Sequence, residues 1–154
     1  MVTYCKQSSI DYRNSRDHCD ALVQQYNHDP NKITEIHNCY RAVPKEYPFL
    51  SSISGPLAWD AALAKSAQDS INFPKSKDDV FVISAKRHDH KYAQNLGWMF
   101  NGSIKQWYDE LECWDGRQVT CEDGHLRNMM THSHVGCALA PSDYKMGELR
   151  CNYR

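Results

Sequence analysis

The segment VGCALAPSDYKMGELRCNYR, residues 135–154, predicts a β-hairpin, because two apolar runs flank the turn-forming stretch PSDYKMG. If the strands pair about Tyr144, the residues that face each other are Val135 and Tyr153, Cys137 and Cys151, and Leu139 and Leu149. Side chains alternate along a strand, so these six residues share one face of the sheet. This register predicts a disulfide between Cys137 and Cys151.

The seven cysteines are spread along the 154 residues without a CxxC pair, which disfavours a zinc ribbon and favours a disulfide framework. Cys113 and Cys121 flank a loop that contains Asp-Gly, and we expect them to pair. Cys5 with Cys19 is the remaining prediction, made on proximity in the chain alone. Cys39 is then left over, and we expect it to be buried in its helix as a small hydrophobic residue.

Composition indicates one globular domain, with 41% apolar and 24% charged residues. A net charge of −1 argues against nucleic-acid binding through bulk electrostatics, and no apolar run is long enough to cross a bilayer. The stretch MVTYCKQSS contains no apolar signal core, which indicates either a mature chain with an added Met or a leaderless protein. We favour the mature secreted chain. Asn101 begins an Asn-Gly-Ser sequon and is a candidate glycosylation site.

Hydrophobic periodicity predicts three main helices, at residues 29–43, 55–71 and 103–114, and a shorter helix within residues 8–27. The first has good capping chemistry, an aspartate followed by proline. Residues 80–84, VFVIS, are β-prone but have no assigned role.

Single residues in these helices carry further predictions. Asp29 is expected to cap the first helix and Ser103 the third. Trp59 and Trp107 lie on apolar helix stripes and are expected in the core. Trp114, next to Asp-Gly, is expected to be the exposed aromatic residue.

Five further polar residues are not expected to form the functional site. His37, Asn38 and Arg41 form a helix face that ties neighbouring loops to the core. His132 and His134 lie on the approach to the first hairpin strand and point to one side of it. Such a pair can bind a metal, but exposed histidines at a strand edge are the commoner case.

Seven stretches follow one another in the order HNCYR, LAWDAALAKSAQ, RHDHKYAQNLGW, WYDELE, GHL, VGCALA and CNYR. Together they resemble the motifs of the CAP superfamily, which comprises cysteine-rich secretory proteins, venom antigen five and plant pathogenesis-related proteins. The resemblance spans residues 37–153 and departs from the family pattern at GHLRNMMT and AQNL. It implies an α+β fold, a single-domain α-β-α sandwich with a small antiparallel sheet between helical layers. We therefore expect an N-terminal extension at residues 1–28 and a CAP-like, venom allergen-like domain at residues 29–154.

The resemblance also implies a central cleft with two histidines and two glutamates. The matching positions are His88, Gln94, Glu110 and His125, with glutamine where the family has glutamate. His88 is preferred to His90 because the residue after it takes the place of the family's serine. Two imidazoles and a carboxylate can bind zinc, but the amide of Gln94 removes one charge. We expect no required cofactor and at most weak binding of a divalent cation by His88, His125 and Glu110. A cluster whose polar groups form hydrogen bonds with one another is slightly favoured over a metal site.

Catalysis is not expected from this sequence. Glu110 or His125 could act as a base, but there is no G-x-S-x-G elbow. A cysteine nucleophile is hard to reconcile with a disulfide-rich chain. Without the second carboxylate, acid–base catalysis by two paired carboxyl groups is still less favoured.

The favoured function is that of a secreted, non-enzymatic binding protein. The resemblance implies either sterol binding through the loop after the WYxE helix or fatty-acid binding between helices. Here that loop retains Trp114 but is charged, so fatty acid is favoured over sterol. The alternative is a protein-interaction effector, toxin-like or immune-modulating, with a protein receptor and a vestigial cleft. A hydrophobic channel between the first and third main helices would favour lipid, and its absence would favour the effector.

Overall fold

The computed structural model describes residues 2–43, 55–71, 92–113, 117–118, 120–141 and 147–154, with residues 2–12 described by their backbone. The β-prone run at residues 80–84 lies outside them. The described helices are α1 (Val2–Gln25), α2 (Ile33–Ala42), α3 (Ala61–Ile71), α4 (Gly102–Tyr108) and α5 (Gly124–Thr131). The described strands are β1 (Ala58–Trp59), β2 (Ala93–Gly97), β3 (His134–Pro141) and β4 (Gly147–Tyr153). Short 3-10 helices, Pro30–Lys32 and Asp109–Cys113, precede α2 and follow α4. None of these helices is both long and apolar enough to span a bilayer.

The four strands form one sheet in the order β1-β3-β4-β2, with β1 parallel to β3 and the other neighbours antiparallel. The predicted hairpin register is confirmed by the pairs Val135 and Tyr153, Cys137 and Cys151, and Leu139 and Leu149. Their side chains pack with α1, α2, α4 and α5 in one core, and α3 covers the opposite face through Ala67 and Ile71. The predicted α-β-α sandwich is confirmed, but the sheet is mixed because β1 adds a parallel strand.

The helix predicted for residues 55–71 begins only after Asp60, because Asp60 caps it. Its carboxylate accepts hydrogen bonds from the amides of Ala62 at 2.9 Å and Leu63 at 3.1 Å. The two preceding residues extend instead and form β1. Trp59 is therefore 44% exposed at the sheet edge, and its predicted core position is wrong.

The starts of the other helices agree in part with the sequence. The Asp29 carboxylate accepts a hydrogen bond from the amide of Asn31 at 2.9 Å, as predicted for a cap, although the first turn is a 3-10 helix. Ser103 is not a cap, because it lies inside α4 and accepts a hydrogen bond from the amide of Met99 at 3.0 Å. Trp107 is 3% exposed, which confirms its core position.

Two of the predicted disulfides are confirmed, Cys137–Cys151 and Cys113–Cys121. The third prediction is wrong, because Cys19 pairs with Cys39 and not with Cys5. The Cα atoms of Cys19 and Cys39 are 5.6 Å apart, where α1 packs against α2. Cys39 is therefore a disulfide partner and not a lone hydrophobic residue.

Asn101 is fully buried, which contradicts its prediction as a glycosylation site in the folded protein. Its Nδ2 donates hydrogen bonds to the carbonyl oxygens of Tyr26 at 2.7 Å and Asp29 at 2.9 Å. A glycan would replace one of these two N–H groups and needs space that the core does not provide. The side chain instead joins the start of α4 to the connection between α1 and α2.

Candidate functional site

Glu110 and His125 form a hydrogen-bonded pair at the surface. Glu110 lies in the 3-10 helix after α4, and His125 lies in the first turn of α5. One carboxylate oxygen accepts the backbone N–H of His125 and the other accepts Nδ1–H, each at 3.1 Å. The side chain of Glu110 is 15% exposed and that of His125 is 46% exposed. The Glu110–His125 pair therefore opens to solvent on the histidine side.

The imidazole of His125 rests on the indole of Trp107. The two rings are nearly parallel, with an interplanar angle of 9° and centroids 5.8 Å apart. Since Trp107 is a core residue, it gives the imidazole a rigid support. Nδ1 donates to Glu110, so Nε2 is the acceptor nitrogen of the neutral ring, and no described residue forms a hydrogen bond with it.

Asn95 in β2 holds the backbone of His125 from the other side. Its Nδ2 donates to the carbonyl oxygen of His125 at 2.9 Å and to the hydroxyl oxygen of Tyr153 at 3.3 Å. Asn128 in α5 donates to Asn95 Oδ1 at 2.9 Å. Sequence reasoning missed both asparagines. The alternation of side chains along a strand could have indicated Asn95. It follows Gln94 on the same strand, so its side chain faces the opposite side of the sheet.

His37 in α2 continues this network into the core. Its Nδ1–H donates to the carbonyl oxygen of Ile33 at 2.9 Å, so Nε2 accepts the hydroxyl proton of Tyr153 at 2.7 Å. The pKa of His37 is lowered to about 4, mainly by burial; the Ile33 hydrogen bond opposes this shift and the charge of Arg41 adds to it. Burial also raises the pKa of Tyr153. Both side chains are therefore neutral at physiological pH.

The rest of the HNCYR motif has the predicted structural role. The Asn38 amide donates to the carbonyl oxygen of Leu57 at 3.0 Å and accepts the amide of Leu57 at 2.7 Å. Arg41 donates to the carbonyl oxygens of Met129 at 3.0 Å and Gly55 at 2.8 Å. These bonds tie α2 to α5 and to the segment before β1.

Gln94 faces away from the Glu110–His125 pair. Its Nε2 donates to Asn152 Oδ1 at 2.7 Å, and its Oε1 accepts Arg150 Nη1 at 3.1 Å. Asn152 donates in turn to a carbonyl of α3, so these groups lie on the α3 face of the sheet, opposite Asn95. The predicted grouping of Gln94 with the pair is wrong, because successive strand residues point to opposite faces.

His88 and Trp114 lie outside the described residues, so their predicted roles stay predictions. Among the residues that the structure describes, no three His, Cys, Asp or Glu side chains are placed to hold a metal. His132 Nδ1–H donates to a backbone carbonyl of α5 at 2.9 Å, and the His134 ring forms a hydrogen bond with the Ser133 hydroxyl at 2.7 Å.

The model of the cysteine-rich secretory protein family, CAP, matches residues 34–153. The chain belongs to the CAP family. The matched range includes the HNCYR motif, the Glu110–His125 pair and the C-terminal hairpin. All of α1, which supplies the buried Cys19 and Val23 to the same core, precedes this range.

Two plant proteins are similar to this CAP domain over 110 residues, each at 31% identity. They are pathogenesis-related protein 1A1 of Solanum lycopersicum and the basic form of pathogenesis-related protein 1 of Nicotiana tabacum. The match covers 64% of this chain and 60% or 59% of the relative, so it spans less than two thirds of their length. Venom allergen-like protein 4 of Schistosoma mansoni has a TM-score of 0.51 at 16% identity, covering 92% of this chain and 85% of that one. The last likeness supports the fold alone.

The seam between α2 and α4 of the CAP domain is filled by aromatic rings. Tyr40 and Tyr108 stack with their ring centroids 4.4 Å apart, and the Tyr40 hydroxyl donates to Asp20 at 2.6 Å. A cleft of about 460 Å³ lies between α1 and α4, and Asp17, Asp20 and Lys105 line it. Ala21 and Val23 add apolar surface to this cleft, so its lining is mixed, whereas the α2–α4 seam is occupied by the Tyr40–Tyr108 stack.

Proposed function

We propose that this CAP domain is a secreted, non-enzymatic protein that acts by binding a protein partner, as a toxin-like or immune-modulating effector does. The observation that carries the proposal is the Tyr40–Tyr108 stack, which occupies the α2–α4 seam where a lipid chain would lie. Three disulfides among the described residues support secretion, since disulfides persist in oxidising compartments. The pathogenesis-related relatives are consistent with an extracellular protein.

The Glu110–His125 pair suits recognition better than turnover. Both carboxylate oxygens of Glu110 are engaged by His125, and Gln94 supplies no second carboxylate. Paired acid–base catalysis needs two titratable groups with separate tasks. A half-exposed imidazole fixed by a carboxylate, an aromatic ring and its own backbone is instead a preorganised contact for a partner.

A required cofactor is not part of this proposal. Within the Glu110–His125 pair, Nδ1 and the carboxylate bond each other, which leaves Nε2 of His125 as the open ligand atom. A zinc site needs three or four ligands. With His88 as the other predicted imidazole ligand, we expect zinc or a similar divalent cation to bind weakly at most.

A fatty acid is the second candidate ligand. A cleft of about 420 Å³ between α1 and α2 is lined in part by Ala42, Val43 and the Cys19–Cys39 disulfide. A flexible aliphatic chain suits this partly apolar cleft better than a rigid sterol does. The charged segment around Trp114 is likewise a poor cover for a sterol.

Native mass spectrometry of the protein secreted from eukaryotic cells tests this choice of ligand. We expect the mass of the polypeptide alone, unchanged by a chelator, and no uptake of palmitate. Stoichiometric palmitate binding that is lost in Ala42→Glu and kept in Lys65→Glu, on the exposed surface of α3, would instead establish the fatty-acid candidate.

A photoreactive residue in place of Arg127, an exposed residue of α5 two positions after His125, tests the protein partner directly. In extracellular fluid it should cross-link one protein, and that purified protein should bind the wild type more tightly than His125→Ala. A binding constant that His125→Ala leaves unchanged would refute the assignment of the pair as the contact surface.

A further inference from the structure

The Cys113–Cys121 disulfide joins the two segments that carry the Glu110–His125 pair. Glu110 and Cys113 belong to one 3-10 helix and are three residues apart. With three residues per turn, their side chains project from the same side of that helix. Cys121 lies four residues before His125, and the Cα atoms of Cys113 and Cys121 are 5.1 Å apart. The disulfide therefore lies on the same side of the domain as the Glu110–His125 pair.

The pair depends on the separation that this disulfide fixes. The Glu110 carboxylate reaches two donors of His125 at once, the backbone N–H and Nδ1–H. A two-point contact of this kind tolerates little displacement of either segment. Next to the disulfide, the amide and hydroxyl of Thr120 both donate to the carbonyl oxygen of Cys113. Among the described residues, the disulfide and the hydrogen bonds of Thr120 thus help to close the loop.

The Cys113–Cys121 disulfide is also the one that solvent reaches most readily among the three that the structure describes. Cys121 is an exposed residue, whereas Cys113 is 6% exposed. The other two are covered more fully, since they involve buried Cys137 and Cys151 or buried Cys19 with half-buried Cys39. Thiol–disulfide exchange requires access of the attacking thiolate to a sulfur.

We propose that the Cys113–Cys121 disulfide is a thiol-exchange site, and that its reduction by an external dithiol releases His125 from Glu110. The attacking thiolate forms a bond to Sγ of Cys121, the bond between the two protein sulfurs breaks, and Cys113 leaves as thiolate. The second thiol of the reductant then displaces Cys121 and forms the reductant's own disulfide. The protein gains two electrons and two protons, and the dithiol loses them. The carbonyl oxygen of Glu122, 3.7 Å and 3.5 Å from the two sulfurs, can accept a hydrogen bond from the new thiols.

This coupling concerns the geometry of the pair and goes beyond the proposed function, since it holds whatever the domain binds. Opening the loop leaves Glu110 attached to α4 and His125 attached to α5, but removes the link that sets their distance. The core disulfide Cys137–Cys151 stays closed, so the sheet keeps its register.

Partial reduction of the wild-type protein with dithiothreitol, followed by alkylation and peptide mapping, tests the first half of the proposal. Cys113 and Cys121 should be alkylated before any other pair. Prior or simultaneous reduction of Cys19–Cys39 or Cys137–Cys151 would overturn it.

Amide hydrogen exchange tests the second half, in that partly reduced species and in the double variant Cys113→Ser, Cys121→Ser. The His125 amide should lose protection to the level of Glu110→Ala, a control that keeps the disulfide but removes the acceptor oxygens. The Cys151 amide should keep its protection and so report an intact sheet. If the His125 amide of the reduced wild type keeps the protection of the oxidised protein, the disulfide does not hold the pair and the proposal fails. That outcome would leave the protein-binding function untouched.

Discussion

The buried His37 should make the domain sensitive to mild acid, and His37→Gln should reduce that sensitivity. In the folded protein, Nδ1 donates to the carbonyl of Ile33 and Nε2 accepts the hydroxyl proton of Tyr153. A second proton would have to enter at Nε2, where it would displace the tyrosine proton and place a charge in the core. This is why burial lowers the pKa of His37 to about 4.

The size and the sign of the effect follow from the two pKa values. An unfolded histidine titrates near a pKa of about 6.5, above the folded value of about 4, so the unfolded chain takes up the proton first as pH falls. The contribution of neutral His37 to the free energy of unfolding is therefore complete above about pH 6.5 and is lost as pH falls toward about 4. The linkage relation gives a loss of about 2 kcal/mol at about pH 5 and about 3 kcal/mol at about pH 4.

Urea denaturation across this pH range measures the effect in the wild type, His37→Gln and the exposed control His18→Gln. We expect His37→Gln to be less stable than the wild type at neutral pH, because it disturbs two buried hydrogen bonds, by about 1–3 kcal/mol. That difference should shrink toward pH 5, while His18→Gln should follow the wild-type curve. A difference between wild type and His37→Gln that stays constant with pH would refute the assignment of a neutral, buried His37.

Three further outcomes test other parts of the structure. Protein secreted from eukaryotic cells should carry no glycan at Asn101, and a mass loss on glycosidase treatment would contradict its burial. Trp107→Ala should lower the free energy of unfolding by about 3–5 kcal/mol, whereas Trp59→Ala, at a position 44% exposed, should lower it by less than about 1 kcal/mol; equal losses in denaturation would contradict the two placements. Gln94→Glu should leave the zinc affinity in calorimetric titration unchanged, since residue 94 faces Arg150. Tighter zinc binding would instead indicate that residue 94 lies beside the Glu110–His125 pair.

The sequence predicts the hairpin register well because the information is local. Two short strands joined by one turn have few ways to pair, and a shift by one residue would move Cys137 to the wrong face. The start of α3 was equally local but was missed. Asp60 directly before the apolar run that begins at Ala61 is an N-cap signal, and it outweighs the apolar stripe that placed Trp59 in the predicted helix.

The Cys19–Cys39 disulfide could not be predicted from spacing, because it depends on how α1 packs on α2. Proximity in sequence favoured pairing of Cys19 with Cys5. Residues several turns apart on one helix are held at a distance, however, whereas the packing of two helices brings their residues together. The side of the sheet on which Gln94 lies was predicted wrongly for a similar reason. A motif aligns residues along the chain, but the face of the sheet on which each side chain lies is set by its strand pairing.

The site itself depends on two asparagines that sequence reasoning did not single out, the buried Asn95 and the half-buried Asn128. Asn95 bonds the backbone of His125, the side chain of Asn128 and the hydroxyl of Tyr153, and Tyr153 bonds His37. The surface imidazole is therefore connected to the core through polar groups that have no water to replace a lost partner. Changing one of them displaces His125 without touching it. Such a connection explains why a half-exposed histidine can keep one orientation, which is the property that binding a partner requires and that a mobile surface side chain lacks.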